Sequence, residues 1–493
     1  MFDELDELLK LGSIKEVQHH LEKINVAKVP RESALPLANI ARRSGFHRLA
    51  FKIVNPIVRP KNKLKRTQAT PGELCEYAMI LLRLGVIEES RSILASPAAK
   101  ECSERLLYLA FIYFAEWDYQ SACDLLESYI ALPDIDSYSK ATARVNLAQS
   151  YVALEKPEDA IEVINKVVVE AKKLNWRLLH ANALQNLADA YLDCKDFSKI
   201  HETLDEIRKL IGESHYRYNL YIKRVEACIK LPDVTMLRQL SDEAFKKREY
   251  ELFRECNFIE AVATQNEDLF RKVYFGTPYY EYRKRILAIW GKPVDLGNSY
   301  LWDLNPKKKS NHVFDVLNGC VEGEIAQIKM GTTIHRLLTI FSENLYKTFK
   351  AEALFSYLFP DEFLQPTIST TKVYQIIQRT RRWLSTNHIG FSIGEDHGEY
   401  FLTSDKGYKL RISQQTYKPK NVGDQHIARL HEAMGEGAYF NIRNVKDILA
   451  VATASANRIL KKAVEDGVLL KIGQGRSTEY VFSTQKVSKR SPP

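Results

Sequence analysis

The sequence predicts a mainly α chain, in which an α-solenoid of stacked helical hairpins precedes two small α+β domains, each built from three helices and a hairpin. Three observations carry this expectation. A short signature of apolar and small residues recurs at intervals of 32 to 40 residues through the first half of the chain. Near residue 313 the pattern changes to short alternating segments, and twice thereafter three helical stretches lead into two strands around a glycine turn. Finally, 493 residues that are 45% apolar and 27% charged make an ordinary globular composition, with length for about three domains.

The same numbers exclude several classes. Seventeen Pro and 21 Gly are too few for a collagen-like or low-complexity chain. No run approaches the roughly 18 uninterrupted apolar residues of a membrane helix, so no membrane partner is expected. The first residues, MFDELDELLKLGS, are acidic and amphipathic where a secretory signal would be basic and then apolar, which predicts a cytoplasmic protein that starts in a helix. Seven cysteines are odd in number and never closer than 21 residues, which predicts buried thiols with neither a disulfide framework nor a CxxC metal knuckle.

Taking the elements in order, the repeats occupy residues 1–290. The copies read LANIARRSGFHRLAFKI from Leu37, YAMILLRLGVIEESRSIL from Tyr77, LAFIYFAEWDYQSACDLL from Leu109, LAQSYVALEKPEDAIEVI from Leu147 and LADAYLDCKDFSKIHETL from Leu187. This resembles the tetratricopeptide repeat (TPR), and the copy from Leu147 carries Leu147, Ala148, Tyr151, Ala160, Ile164 and Val167 where that family packs its helices. Small residues such as Ala148 and Ala188 let two helices approach closely, and Tyr151 and Tyr191 fill grooves between hairpins. Ser90 and Ile200 depart from the pattern, standing where helix B should carry a small Ala. Helical segments at 2–30 and 215–290 lack the signature, as terminal capping hairpins do. The inner surface of the array should present Asn146, Gln149, Asn186 and Asp189. The resemblance implies that an Asn before the Leu head binds a peptide or protein ligand; solvated polar residues with no ligand fit the same positions.

Residues 291–312 read as an aromatic and basic linker. The stretch 274–302 concentrates Tyr274, Phe275, Tyr279, Tyr280, Tyr282, Trp290, Tyr300 and Trp302 around Pro278 and Pro293, a composition suited to gluing domains together or to lining a peptide site.

Residues 313–412 form the first small domain, whose third helix and hairpin, VYQIIQRTRRWL and HGEYFL, resemble the winged-helix output domain of OmpR/PhoB-type response regulators. Thr380 replaces the usual Leu and Glu399 the second wing glycine. At 100° per residue, Val373, Ile376, Ile377, Thr380, Trp383 and Leu384 face inward, leaving Thr371, Gln375, Gln378 and Arg382 outward with Arg379 at the flank. Gln suits adenine and Arg suits guanine in the major groove, while Thr371 and Lys372 suit phosphates, and His397 stands at the wing. Residues 413–485 form the second domain, which resembles the winged helix-turn-helix of bacterial regulators. Its third helix offers Ser455, Asn457, Arg458, Lys461 and Lys462 outward, and its glycine wing offers Arg476. Residues 486–493 read as a disordered basic tail.

Charge agrees with a polyanion partner at this end. Residues 371–493 hold 20 Lys and Arg against 11 Asp and Glu, so the whole net charge of +9 lies there. Chemistry for catalysis is not evident: GQGRST lacks phosphate-loop spacing, no HExxH occurs, and no nucleophile elbow is found, so neither an enzyme nor a cofactor nor a metal is expected. The expected function is therefore a cytoplasmic bacterial transcription regulator, nucleoid-associated when bound, whose partners are double-stranded DNA and a groove ligand. A homodimer is optional, since two readers in one chain can occupy adjacent half-sites. Two alternatives stand beside it: a multiprotein scaffold whose winged helices mediate assembly, and an adaptor for RNA polymerase.

Overall fold

The computed structural model describes residues 2–60, 68–211, 216–229, 231–305, 308, 311–322 and 327–413. Between 427 and 483 it describes all but 428–429, 432, 436, 450–452, 466, 474 and 476–477. The expected tail at 486–493 lies outside these residues, as does most of the stretch 413–426. The chain divides into two compact units. The first comprises Met1–Val273, Tyr279–Lys292 and Glu362–Thr370, and the second Tyr274–Pro278, Pro293–Asp361 and Thr371–Pro493.

The first unit is an array of antiparallel helical hairpins. Helices α1 (Phe2–Lys10) and α2 (Ile14–Glu22) open it, and five regular hairpins follow. They pair α3 (Arg31–Arg43) with α4 (His47–Val58), α5 (Pro71–Arg83) with α6 (Ile87–Ala95), and α7 (Glu104–Ala115) with α8 (Tyr119–Ile130). Next come α9 (Ser137–Ala153) with α10 (Pro157–Lys173), and α11 (Arg177–Asp193) with α12 (Phe197–Ile211). The remaining helices are α13 (Tyr216–Cys228), α14 (Val234–Lys247), α15 (Tyr250–Thr264), α16 (Glu267–Phe275) and α17 (Tyr280–Trp290).

Each regular hairpin turns in the same way. The turn residues Gly45, Gly85, Trp117, Glu155 and Lys195 all adopt left-handed backbone, with φ of +91°, +84°, +65°, +60° and +58°. After each, the next N–H reaches back to the helix: Phe46 to Ala41, Val86 to Leu81, Asp118 to Tyr113, Lys156 to Tyr151 and Asp196 to Tyr191, at 2.8–3.0 Å. These bonds satisfy carbonyls that a helix end would leave orphaned. The first two turns use glycine, for which left-handed backbone costs nothing; the other three place a side chain there against a steric cost.

The small-residue pattern becomes packing. Ala38, Ala78, Ala110, Ala148 and Ala188 are fully buried on the first helices, opposite Ala50, Ala122 and Ala160 on the second. The two departures are accommodated differently. Ser90 is fully buried and its hydroxyl donates to the Ala78 carbonyl at 2.7 Å, so the extra oxygen is satisfied across the hairpin. Ile200 is fully buried too, and fills a core shared by α9 to α13 with Ile164, Val167, Leu184 and Leu204.

In the second unit, strands β1 (Ser299–Asp303), β2 (Val313–Asp315), β3 (Cys320–Val321) and β7 (Lys409–Ser413) form one sheet in the order β1-β7-β2-β3. Strand β1, placed in the linker by its sequence, runs antiparallel to β7 with Tyr300 opposite Ile412 and Trp302 opposite Leu410. Alternation explains it: Tyr300 and Trp302 are buried while Leu301 is exposed. Aromatic density thus marks core as well as connection. Gly276 belongs to the same core, because a Cβ there would stand 2.5 Å from the Trp302 ring and 2.9 Å from Tyr346.

Helix α18 (Thr333–Glu343), strand β4 (Phe349–Lys350), helices α19 (Ala351–Leu358) and α20 (Ile368–Thr386), and the hairpin β5 (Ser392–Asp396) to β6 (Glu399–Thr403) follow in order. Strand β4 pairs with β6, giving a three-stranded sheet in the order β4-β6-β5. His397 and Gly398, at φ +49° and +79°, form the two-residue turn between β5 and β6, a conformation matched to strand twist.

The carboxyl-terminal region repeats this plan in smaller form. Helix α21 (Ile442–Leu449), helix α22 (Thr453–Glu465) and strands β8 (Leu469–Ile472) and β9 (Glu479–Phe482) surround a core of Ile427, Leu430, Phe440, Val445, Leu449, Leu460 and Phe482. Phe440 exchanges two backbone hydrogen bonds with Tyr480, at 3.0 and 2.8 Å, extending the hairpin by one bridge.

Candidate interaction surfaces

Two kinds of surface carry the residues singled out by the sequence, and the structure treats them differently. On the array, the expected groove residues are largely engaged within the chain. Asn146 donates to the Thr142 carbonyl one turn back at 2.7 Å, and Asn186 donates to the Val145 carbonyl of the neighbouring hairpin at 2.8 Å. Asp189 accepts from Arg224 of α13, whose other arm reaches Glu255 of α15 at 3.0 Å. Gln149 is exposed. Asn186 and Asp189 therefore act as struts between successive hairpins.

A second internal network joins the first three hairpins. The Glu76 carboxylate accepts Arg42 Nε at 2.6 Å and Arg42 Nη2 at 3.1 Å, together with Asn39 Nδ2 at 3.1 Å and the Tyr108 hydroxyl at 3.2 Å. Both partners of this ion pair are buried. Burial opposes the charge on Arg42, but Glu76 outweighs it and holds the guanidinium even more firmly protonated than usual.

Sequence reasoning missed a third cluster. The Trp117 ring meets Tyr282 edge-on at 4.7 Å and Tyr119 at 5.7 Å, and lies 6.4 Å from Tyr279. Arg254, only 3% exposed, places its guanidinium 4.4 Å from the Trp117 ring and 4.5 Å from Tyr282. Burial is the main reason that the Tyr282 phenol is pushed up to about 12. The available signal was the register of the repeats, since Trp117 occupies the turn position that Gly45 and Gly85 hold in the first two hairpins.

On α20, burial follows the expected faces. Val373, Ile376, Ile377, Thr380 and Leu384 are buried, whereas Thr371, Gln375, Gln378, Arg379 and Arg382 are exposed. Thr380 gives its hydroxyl to the Ile376 carbonyl at 2.8 Å. Arg381 points elsewhere and donates to the Ile393 carbonyl of the hairpin at 2.9 Å. Arg379 and Arg382 make no ion pair among the described residues. Lys372 is half-buried, its ammonium 5.2 Å from the Phe359 ring. His397 is exposed at the hairpin tip, but Glu395, Asp396 and Glu399 surround it, and Glu399 accepts from Thr348.

On α22, Ala456, Ile459, Leu460 and Ala463 are buried and Asn457, Arg458, Lys461 and Lys462 are exposed. Lys461 approaches Glu465 at 3.8 Å. The Ser455 side chain and Arg476 lie outside the described residues. Exposed Arg443 and Lys446 on α21, and Lys471 on β8, add basic positions that sequence reasoning did not single out. Among the described residues no group of three or more His, Cys, Asp or Glu could hold a metal ion, and no helix is long and apolar enough to cross a membrane.

No protein-family model and no curated protein matches this sequence. Among solved structures, the chain is similar to a crystallised point variant of the nearly identical TPR-like repeats of a Podospora anserina kinesin light chain. The identity is 24%, the match covers 37% of this chain and 95% of the other, and the TM-score is 0.30.

Proposed function

We propose that this protein is a DNA-binding transcription regulator, in which a TPR-like array engages a protein or peptide and controls two winged-helix readers of double-stranded DNA. The observation that carries the reading is the outward face of α20. Five polar or basic side chains are presented on one side of a helix whose other side is buried, within a helix, strand, helix, helix, hairpin order. Gln375 and Gln378 are suited to adenine, Arg379 and Arg382 to guanine, and Thr371 and Lys372 to phosphates. The second module offers Asn457, Arg458, Lys461 and Lys462 in the equivalent place, with Ser455 and Arg476 as further contacts. Basic residues on α21 and β8 give it more phosphate-binding capacity than its third helix alone.

One observation favours a second reading, a scaffold in which these modules dock proteins. The β5–β6 turn carries Glu395, Asp396 and Glu399, which repel a phosphate backbone, and β8 exposes Leu470 and Ile472 at 53% and 43%. RNA polymerase is one partner such modules would fit.

Fluorescence anisotropy of the full chain on random and genome-selected duplexes, across a salt series, separates the two. A regulator prefers certain duplexes, and Arg379→Ala with Arg382→Ala and Arg458→Ala weakens binding and relaxes that preference, by about 1–3 kcal/mol for each lost base contact. Equal weak binding to all duplexes, unchanged in the triple variant, refutes the reading and favours the scaffold.

A further inference from the structure

We infer that Glu89 and Arg59 of the hairpin array are positioning residues for α20, because they hold the segment that leads into this helix and so fix its first turn. This rests on the reading of α20 as a DNA reader, and adds the point at which the array acts on it. The segment Glu362–Thr370 connects α19 to α20 and belongs to the first unit. Helix α20 begins within it: Ile368–Thr370 count with the array, and from Thr371 the helix continues unbroken in the second unit.

Two side chains, one from each of the first two hairpins, reach this segment. Glu89, in the first turn of α6, accepts the Leu364 N–H at 3.1 Å on one carboxylate oxygen and Arg59 Nη2 at 3.2 Å on the other. Arg59, at the end of α4, lays its guanidinium 3.7 Å from the centre of the Phe363 ring. Leu364 is 1% exposed between exposed Phe363 and Gln365, so this turn is held by one inward side chain, one backbone donor and one ring. The hold passes directly to the helix. The next residue, Gln365, donates its N–H to the Ser369 hydroxyl at 2.9 Å, and its carbonyl accepts the Ser369 N–H at 3.2 Å. Thr371 and Lys372, the residues suited to phosphates, follow within the same turn of helix, and the base-facing side chains continue along it.

The burial of Glu89 is not a property of the repeat. Asp159 stands in the same register of the fourth hairpin, four residues after the left-handed Glu155 as Glu89 is four after Gly85, and Asp159 is exposed. The Glu89 side chain is only 9% exposed, and a carboxylate taken out of water needs donors. Its donors among the described residues are Arg59 and Leu364, the second arriving from 275 residues along the chain. Burial raises the Glu89 carboxyl above its usual value, and these two donors oppose the rise. The second hairpin therefore carries an acid whose remaining donor is the connection between α19 and α20.

The test compares the full-length chain with Glu89→Ala, Glu89→Gln and Phe363→Ala, none of which alters the outward face of α20. In Glu89→Ala the Leu364 and Ser369 amides should exchange about tenfold faster, while those of α11 stay unchanged. Affinity for the preferred duplex should fall about tenfold, as the correctly placed fraction of α20 drops. Glu89→Gln keeps an oxygen for the Leu364 N–H and should recover most of both losses, which a general weakening of the array by removal of the charge would not allow. If Glu89→Ala loses its helical circular dichroism, Phe363→Ala carries the test, since that ring is 58% exposed and its removal takes away only the Arg59 contact. Unchanged exchange at Leu364 and Ser369 overturns the inference, and so does faster exchange with duplex affinity unaltered. An unmodified chain that prefers no duplex removes the regulator reading instead. Exchange then decides alone whether Glu89 holds the first turn of α20, and unchanged protection there overturns it.

Discussion

Replacing Glu76 with Gln should destabilise the first three hairpins by about 3–5 kcal/mol, the cost of stranding a buried charge. The size follows from the geometry. Glu76 is the acceptor for two charge-assisted bonds from Arg42, at 2.6 and 3.1 Å, and for bonds from Asn39 and Tyr108, with both ionic side chains under a tenth exposed. Glutamine keeps the shape but offers one oxygen and no charge, so the Arg42 guanidinium loses its counter-ion in a site that water does not reach. Adding Arg42→Met removes the stranded charge, and the double variant should recover about 2 kcal/mol relative to Glu76→Gln alone. Guanidinium chloride unfolding followed by far-ultraviolet circular dichroism gives the energies, and hydrogen exchange shows whether the loss falls on α3, α5 and α7, since a hairpin array can open locally. If Glu76→Gln costs less than about 1 kcal/mol, or if the double variant is less stable than the single one, then burial is not what makes this pair matter.

The two departures from the repeat signature should respond oppositely to alanine. Ile200→Ala leaves a cavity in a fully buried site and should cost about 2–5 kcal/mol in chemical denaturation. Ser90→Ala only deletes a hydroxyl from a place where other hairpins use Ala, and should change stability by no more than about 1 kcal/mol in the same assay. Helix α1 should loosen in acid. Burial raises the Asp6 carboxyl, but bonds and charges from Lys10 and Arg43 outweigh it and hold the group below its usual 3.8. Its contribution is thus present above that value and lost as pH falls through the depressed one. Amide exchange of residues 2–10 should accelerate below about pH 4 relative to neighbouring helices, and Asp6→Asn should remove that acid dependence; an unchanged profile in the variant contradicts the assignment.

Sequence alone determined the hairpin register, because close helix packing admits few residue types. Five apolar heads, each followed by Ala, reappear as five fully buried Ala residues, with a left-handed turn eight positions after every head. It also determined which side of α20 and α22 faces outward, since a period of 3.6 residues leaves one apolar stripe per helix. Tertiary structure decided the rest. Whether Asn186 and Asp189 face a ligand or brace a neighbour depends on where the Val145 carbonyl and Arg224 arrive, and these are 41 and 35 residues away along the chain. Strand β1 is a strand because β7, more than a hundred residues later, supplies its hydrogen bonds. Trp117 meets Tyr282 and Arg254 across well over a hundred residues of sequence, and a local pattern carries no information about such a meeting. Helix propensity, turn chemistry and amphipathicity act between near neighbours and can be read in order along the chain. Struts, sheet partners and the cluster of Trp117, Tyr282 and Arg254 depend on contacts that exist only after the chain has folded.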